Sequence, residues 1–262
     1  MRKKIFISIL LVLIFLIFII PVLHIPNTEN IEGIYNKKFK DHVVFYPQHQ
    51  DDEVLWAGSA IIRALEQCGK DNVYIVLVSD GPGVNVFKSN KYKNLTRKEK
   101  QDLRDTEFKS ALNDLGVKES NIIILSDLDQ KEGLHYDLMK NIVLDFENKF
   151  NSVTHVAHHY KYDNHIMHRK NGRVLKKLSD DKHIKDCLYF IKPKYINRIP
   201  LENRMIYTIN NQLEYSKVKS ACNEYRVIDK ANKKFGIGYT SAHNAFDILL
   251  KDPKLTSILV NQ

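Results

Sequence analysis

Short, unbroken apolar runs alternate with amphipathic helical segments through the middle of this chain, and that alternation constrains the fold more than any other feature. Val43-Val44-Phe45-Tyr46, Val73 to Val78, Asn121 to Leu125 and Val153 to Ala157 read as strands. Continuous apolarity, in place of every-other-residue patterning, marks strands buried on both faces. Between them, Glu53 to Cys68 carries Val54, Leu55, Ile61, Ile62 and Leu65 on one helical stripe and stops at Gly69. Residues 97–115, Leu138 to Phe150 and His165 to Leu178 read as further helices. A β-α-β-α order requires right-handed crossovers, so the expected fold is α/β: a Rossmann-like, mostly parallel sheet with helices on both faces. After residue 180 the pattern weakens. Leu188 to Ile191 and Met205 to Thr208 read as strands and Asn211 to Tyr225 as a helix, a C-terminal extension of the same sheet. One catalytic domain over residues 41–262 is expected.

The N-terminus is of a different kind. Ile5 to Ile20 is apolar apart from Ser8 and Pro21-Val22-Leu23 extends it, after Arg2, Lys3 and Lys4. Roughly 19 apolar residues suffice to cross a ~30 Å hydrocarbon core. The basic cluster places the N-terminus inside and the rest of the chain on the extracytoplasmic side. His24-Ile25-Pro26-Asn27-Thr28 offers no small-x-small cleavage site, so residues 1–23 are expected to be a retained single-pass signal anchor and 24–40 a linker. The net charge is +9 and the remaining lysines are spread along the chain, which fits a solvated surface. No basic-aromatic or zinc-finger spacing points to nucleic acid. Cys68, Cys187 and Cys222 lack C-x-x-C spacing and are odd in number, which points to neither a thiol zinc site nor a full disulfide framework and leaves room for one pair.

Ligands of parallel α/β sheets bind beyond the C-terminal strand ends. Pro47-Gln48-His49-Gln50-Asp51-Asp52-Glu53 begins just past the first strand, and His165 lies past the fourth. Two histidines and a carboxylate suit a zinc shell with one open position. A second carboxylate beside it is what a hydrolase needs as general base. Adjacent aspartates point in different directions, so one can ligate while the other faces the water. Asp-Asp-Glu at a helix start is also ordinary N-terminal capping chemistry. The context, a buried strand leading into the motif and a histidine-rich strand end further on, favours the site.

His49-Gln50-Asp51-Asp52-Glu53 resembles the His-Pro-Asp-Asp-Glu motif of the PIG-L/LmbE-like N-acetylglucosaminyl deacetylases. The resemblance runs from about Val43 to at least Arg169. It takes in Ser79-Asp80-Gly81-Pro82-Gly83, similar to a Thr-Asp-Gly-x-x-Gly loop, Arg104-Asp105-Thr106-Glu107, similar to Arg-x-x-Glu, and Leu115-Gly116-Val117. Asn164-His165 resembles the family's Asn/Asp-His pair. The resemblance implies that His49, Asp52 and His165 bind Zn²⁺ and that Asp51 is the base. It also implies that Asn164 orients a ligand, and that Glu53, Arg104 and Glu107 are supporting or substrate-facing; a helix cap and a surface ion pair are the plain alternatives for these three. Two departures stand out. Gln48 and Gln50 flank His49. Tyr162 occupies the place where many relatives carry an oxyanion-stabilising histidine; its hydroxyl, or His158, His159 or His243, would fill that role. His42, His135 and His183 read as surface residues, His155 as a satisfied core residue, and His168 as near the site, one turn from His165.

The activity implied is hydrolysis of an N-acetyl group from an amino sugar, with an extracytoplasmic glycan, glycolipid or exported metabolite as substrate. A membrane-anchored, non-catalytic sugar-binding module and a zinc hydrolase of another amide or ester are the alternatives. The first would show a degraded metal shell, whereas every polar residue of the motif is present.

Overall fold

The computed structural model describes residues 31–129 and 132–261. Eight strands make one sheet: β1 (Ile34–Tyr35), β2 (His42–Phe45), β3 (Val73–Leu77), β4 (Ile122–Ile124), β5 (Val153–His158), β6 (Cys187–Phe190), β7 (Arg204–Tyr207) and β10 (Ser257–Val260). A small hairpin, β8 (Ile228–Asp229) with β9 (Lys234–Phe235), stands apart. The order across the main sheet is β4-β3-β2-β5-β6-β10-β7-β1. Strands β4 to β6 are mutually parallel, whereas β10 runs antiparallel to both β6 and β7.

Alternation along each buried strand sends side chains to two cores. Val43 and Phe45 of β2 face a cluster built with α1 (Asp52–Cys68), α2 (Arg97–Leu115), α5 (Gln212–Glu224) and α6 (Ile237–Lys251). Val44 and Tyr46 face the other cluster, built with α3 (Tyr136–Lys149) and α4 (Ile166–Asp180). Both faces are therefore covered, which is why the strands read as continuously apolar.

The winding reverses between β2 and β5. From β2 the chain passes through α1 to β3 and through α2 to β4, then returns by α3 to β5 on the other side of β2. Such a reversal leaves a crevice beyond the carboxyl ends of the two central strands. Asn171 of α4 closes its floor: its side-chain amide donates to Tyr46 O at 3.1 Å and its carbonyl accepts from His158 N at 3.2 Å. Gly172 lets α4 approach this closely, since a Cβ there would lie 2.0 Å from His158 O.

The mostly parallel sheet and its helices agree with the expected fold class. The β8–β9 hairpin was not expected, nor were three further elements. Ile34–Tyr35, within the segment read as linker, forms an edge strand on β7. Helix α6 and strand β10 add a helix and an antiparallel strand at the C-terminus. The apolar pattern of α6 is interrupted by a kink at Ala242, and β10 is a four-residue run whose partners are distant in sequence. The expected membrane anchor, residues 5–23, lies outside the described residues. Among the described residues no helix is long and apolar enough to cross a membrane. Cys68, Cys187 and Cys222 are free thiols.

Candidate active site

The segment that leaves β2 extends the sheet by two more bonds, Val78 N to Pro47 O and Ser79 N to Gln48 O, then turns sharply into α1. The turn is made at Asp51, whose φ of 117° is a left-handed conformation uncommon for a residue with a side chain. Such strain persists where surrounding contacts over-determine it. Glu53 supplies one, accepting the Asp51 N–H at 3.1 Å through one oxygen and the Tyr225 hydroxyl at 2.5 Å through the other. Arg104 supplies three. From α2 it donates to Gln50 O, to Gly81 O at 3.1 Å and to Asp51 Oδ2 at 3.0 Å. Gly81, at φ 76°, leaves room for Gln50; a Cβ there would overlap the Gln50 amide at 2.1 Å.

Asp52 stands at the centre. Its Oδ2 accepts the His49 backbone N–H at 2.9 Å and lies 3.3 Å from His49 Nδ1, 3.2 Å from His158 Nε2 and 3.3 Å from His168 Nε2. Its Oδ1 accepts the indole N–H of Trp56, one turn on, at 3.0 Å. His49 Nδ1 and His168 Nε2 are 3.1 Å apart. His165, the N-cap of α4, brings its ring centroid to 5.0 Å from that of His49 and 4.6 Å from that of His168. Donor atoms of His49, His165 and His168 form one group able to hold a metal ion, and those of Asp52, His158 and His168 another. The donor set, imidazole nitrogens with one carboxylate, is one that zinc accepts. His165 Nδ1 is buried without a protein partner, as a group awaiting a ligand would be.

The electrostatics are consistent with a cation in the crevice. Burial lowers the pKa values of His49, His158 and His165 to about 4, leaving neutral rings. Burial opposes charge on Asp52 too, but the neighbouring His168 and His158 rings hold its carboxyl well below the usual range. Burial likewise works against His168, yet Asp52 and Asp163 outweigh it and raise its pKa to about 9. The two carboxylates thus favour positive charge at His168 Nε2, and metal ions compete with protons for such positions. Burial raises Asp51 to about 7, with Arg104 working against the shift and Asp52 adding to it. Burial also raises Glu53 to about 8, the Tyr225 hydroxyl opposing.

His49, Asp51, Asp52 and His165 are thus gathered in one crevice, with Glu53 and Arg104 buried beneath it. Arg104 is no surface ion pair, being 1% exposed. Glu107 points elsewhere: it accepts backbone N–H groups of Phe235, Ile237 and Gly238, capping the start of α6. Asn164 is exposed and accepts from Lys192 Nζ at 3.0 Å, while the carboxylate touching an imidazole of the cluster from behind is Asp163, 3.1 Å from His168 Nδ1. The Tyr162 ring lies against His159, Tyr195 and the Arg198 guanidinium. His159 Nδ1 accepts the Lys161 and Tyr162 N–H groups, and His243 is exposed on α6. His155 is the satisfied core residue expected, between the Tyr46 hydroxyl and Glu147. Sequence reasoning gave no central place to His168, Asp163, His158 or Trp56. The signal for two of them was helical phase, since His168 is three residues from His165 and Trp56 four from Asp52.

The fold recurs in solved deacetylases. The A40926 pseudoaglycone deacetylase superposes with a TM-score of 0.57 at 13% identity, covering 84% of this chain and 96% of that one. N,N'-diacetylchitobiose deacetylase from Pyrococcus horikoshii gives 0.55 at 16% identity, covering 84% of each chain. The zinc-inhibited form of teicoplanin deacetylase gives 0.53 at 13% identity, covering 84% and 98%. No curated relative matches the chain. Residues 43–179, more than half of the chain and all of the crevice, match the PIG-L family, described as GlcNAc-PI de-N-acetylase. The chain therefore belongs to the PIG-L family and is a hydrolase of the N-deacetylase class.

Proposed function

We propose that the chain is a zinc-dependent hydrolase that removes the acetyl group from an N-acetylated amino sugar carried on a glycan, glycolipid or glycoconjugate. The observation that carries this reading is the convergence of His49 Nδ1 and His168 Nε2 on Asp52 Oδ2 within 3.3 Å, with the Asp51 carboxylate adjacent and tethered to Arg104. His49, Asp52 and an imidazole from the turn holding His165 and His168 would hold the ion. Zinc, when bound, polarises the acetyl carbonyl and acidifies water.

Asp51 takes the proton of the attacking water. A carboxylate titrating near neutrality is matched to that task and to returning the proton to the departing amine. Glu53 holds it in place from the backbone side and Arg104 from the side-chain side. Support for an amino-sugar substrate comes from the family description and from the chitobiose deacetylase of the same fold. An anchor at residues 5–23 would display the domain outside the cytoplasm, next to surface glycans; the apolar run behind Arg2, Lys3 and Lys4 supports it.

The test is acetate release by the full chain in detergent from a panel of N-acetylated amino sugars, set against N-acetylated amino acids and simple esters. Release confined to the amino sugars is expected. Turnover of the amino acids or esters alone would place the enzyme on another substrate class.

A further inference from the structure

We infer that Lys161, Lys194 and Arg198, gathered around the rings of Tyr162 and Tyr195, form a subsite for an anionic group, a phosphate or a carboxylate, borne by the substrate beyond its acetylated sugar. The inference rests on the reading of the crevice as a deacetylase site and narrows the substrate class to acidic glycans and glycoconjugates.

The fold brings the two tyrosines to the mouth of the crevice. Tyr162 lies in the loop from β5 to α4, and Tyr195 in the short helical turn Pro193–Arg198 that follows β6. Both therefore stand beyond the carboxyl ends of adjacent parallel strands. Their rings stack with centroids 6.5 Å apart. Lys192 joins them to the centre of the site. Its carbonyl accepts the Tyr195 N–H at 2.9 Å, and its ammonium donates to Asp163 Oδ1 at 3.0 Å. The same ammonium rests 5.0 Å from the centre of the Trp56 ring, whose indole N–H is bonded to Asp52.

Cations are placed against these rings. Lys161 Nζ lies 5.2 Å and the Arg198 guanidinium 5.8 Å from the centre of the Tyr162 ring, and Lys194 Nζ lies 4.9 Å from that of Tyr195. All three side chains are exposed, and among the described residues none pairs its charge with a carboxylate. An aromatic face positions a cation without using its N–H donors. The planar fork of Arg198 is therefore open to two oxygens of a phosphate or carboxylate. The opposite rim differs. Beyond β3 and β4, Arg97 is neutralised by Asp80 at 2.6 Å and Lys98 by Asp102, and Asp127 and Glu132 line the same cavity. An anionic substrate is drawn to the β5–β6 side. A single exposed charge contributes little, so selectivity comes from the convergence of three. Tyr162 acts here as a positioning residue through its ring, with no part for its hydroxyl.

Calorimetry on the full chain in detergent measures binding apart from turnover. The probes are the methyl glycoside of N-acetylglucosamine and the same sugar extended by a phosphate or by a carboxylate. A charged probe should bind about tenfold more tightly than the neutral one, the scale of one charge-assisted hydrogen bond. The margin should shrink with added salt, and the larger margin of the two names the group. Arg198→Gln should lose most of it. Tyr162→Leu should do the same by releasing Arg198, whereas Tyr162→Phe should keep it; thermal melting checks that each variant is folded. Equal binding of charged and neutral probes, binding of none of them, or a margin that Arg198→Gln leaves intact would overturn the subsite. Loss of the margin in Tyr162→Phe would overturn the role of the ring. A charge margin without acetate release from any probe would uphold the subsite and sink the deacetylase reading instead.

Discussion

Arg104 and Asp51 are joined at 3.0 Å although 53 residues separate them, and the bond links α2 to the strained turn between β2 and α1. The same guanidinium grips the carbonyls of Gln50 and Gly81, so one side chain sets both the backbone and the carboxylate of the reactive segment. An arginine can do this because its planar fork presents several donors at once, which a lysine cannot match.

Arg104→Lys is therefore not conservative here. Misplacement of a reacting group by about 1 Å costs roughly 10²-fold, and a loss of that order in kcat is expected with little change in zinc content. Steady-state kinetics beside metal analysis checks it; wild-type kcat would show that Asp51 needs no such tether.

Glu107 serves the fold. Its carboxylate satisfies three N–H groups at the start of α6, so Glu107→Ala leaves them without their partner. A loss of about 1–3 kcal/mol in stability is expected, with KM for substrate unchanged. Denaturant unfolding and kinetics on the folded variant decide between this and a substrate contact.

Trp56 is the single tryptophan and donates to Asp52 Oδ1 at 3.0 Å. Its emission should therefore change as zinc binds and saturate at one ion per chain. In Trp56→Phe, zinc affinity should fall by about 10–100-fold, the range for lost support behind a ligand. Emission that ignores a zinc concentration shown to fill the site would place the ion away from Asp52.

Asp105 carries a pH signature. It is buried against Gln50 and Gln101, and burial raises its pKa to about 6 while the two amide donors oppose. In the unfolded chain it titrates near ~4. The folded state holds the proton more tightly, so the stability from this group is present at low pH and lost as pH rises from about 4 through 6. Asp105→Asn should remove that loss. Its stability relative to wild type should rise by about 1–3 kcal/mol between pH 4 and pH 7. A difference that is flat with pH would contradict the shift.

The sequence was most informative where structure is local. Strands β2, β3 and β5 were legible because both of their faces are buried, and the segment from Pro47 to Glu53 because its residues are contiguous. The two halves of the crevice could be placed together from strand-end logic alone. The roles of Arg104 and Glu107 were not legible, because their partners, backbone groups and for Arg104 the Asp51 carboxylate as well, are brought near only by tertiary packing. The side-chain chemistry of Arg-x-x-Glu does not say which of the two faces the site. Asp163 and His168 were hidden behind their neighbours Asn164 and His165, one residue and one helical turn away. Strand β10 was missed because four apolar residues have no periodicity to read, and its insertion between β6 and β7 is wholly non-local.

The most direct test of the central claim is acetate release from an N-acetylated amino sugar by the full chain, measured before chelation, after chelation and after zinc is returned, with Asp51→Asn alongside. Wild-type activity should vanish with the metal and return with it. Asp51→Asn should hold zinc yet turn over about 10²–10⁴-fold more slowly. Undiminished acetate release from the metal-free wild type, or an Asp51→Asn variant as fast as wild type, would contradict the account.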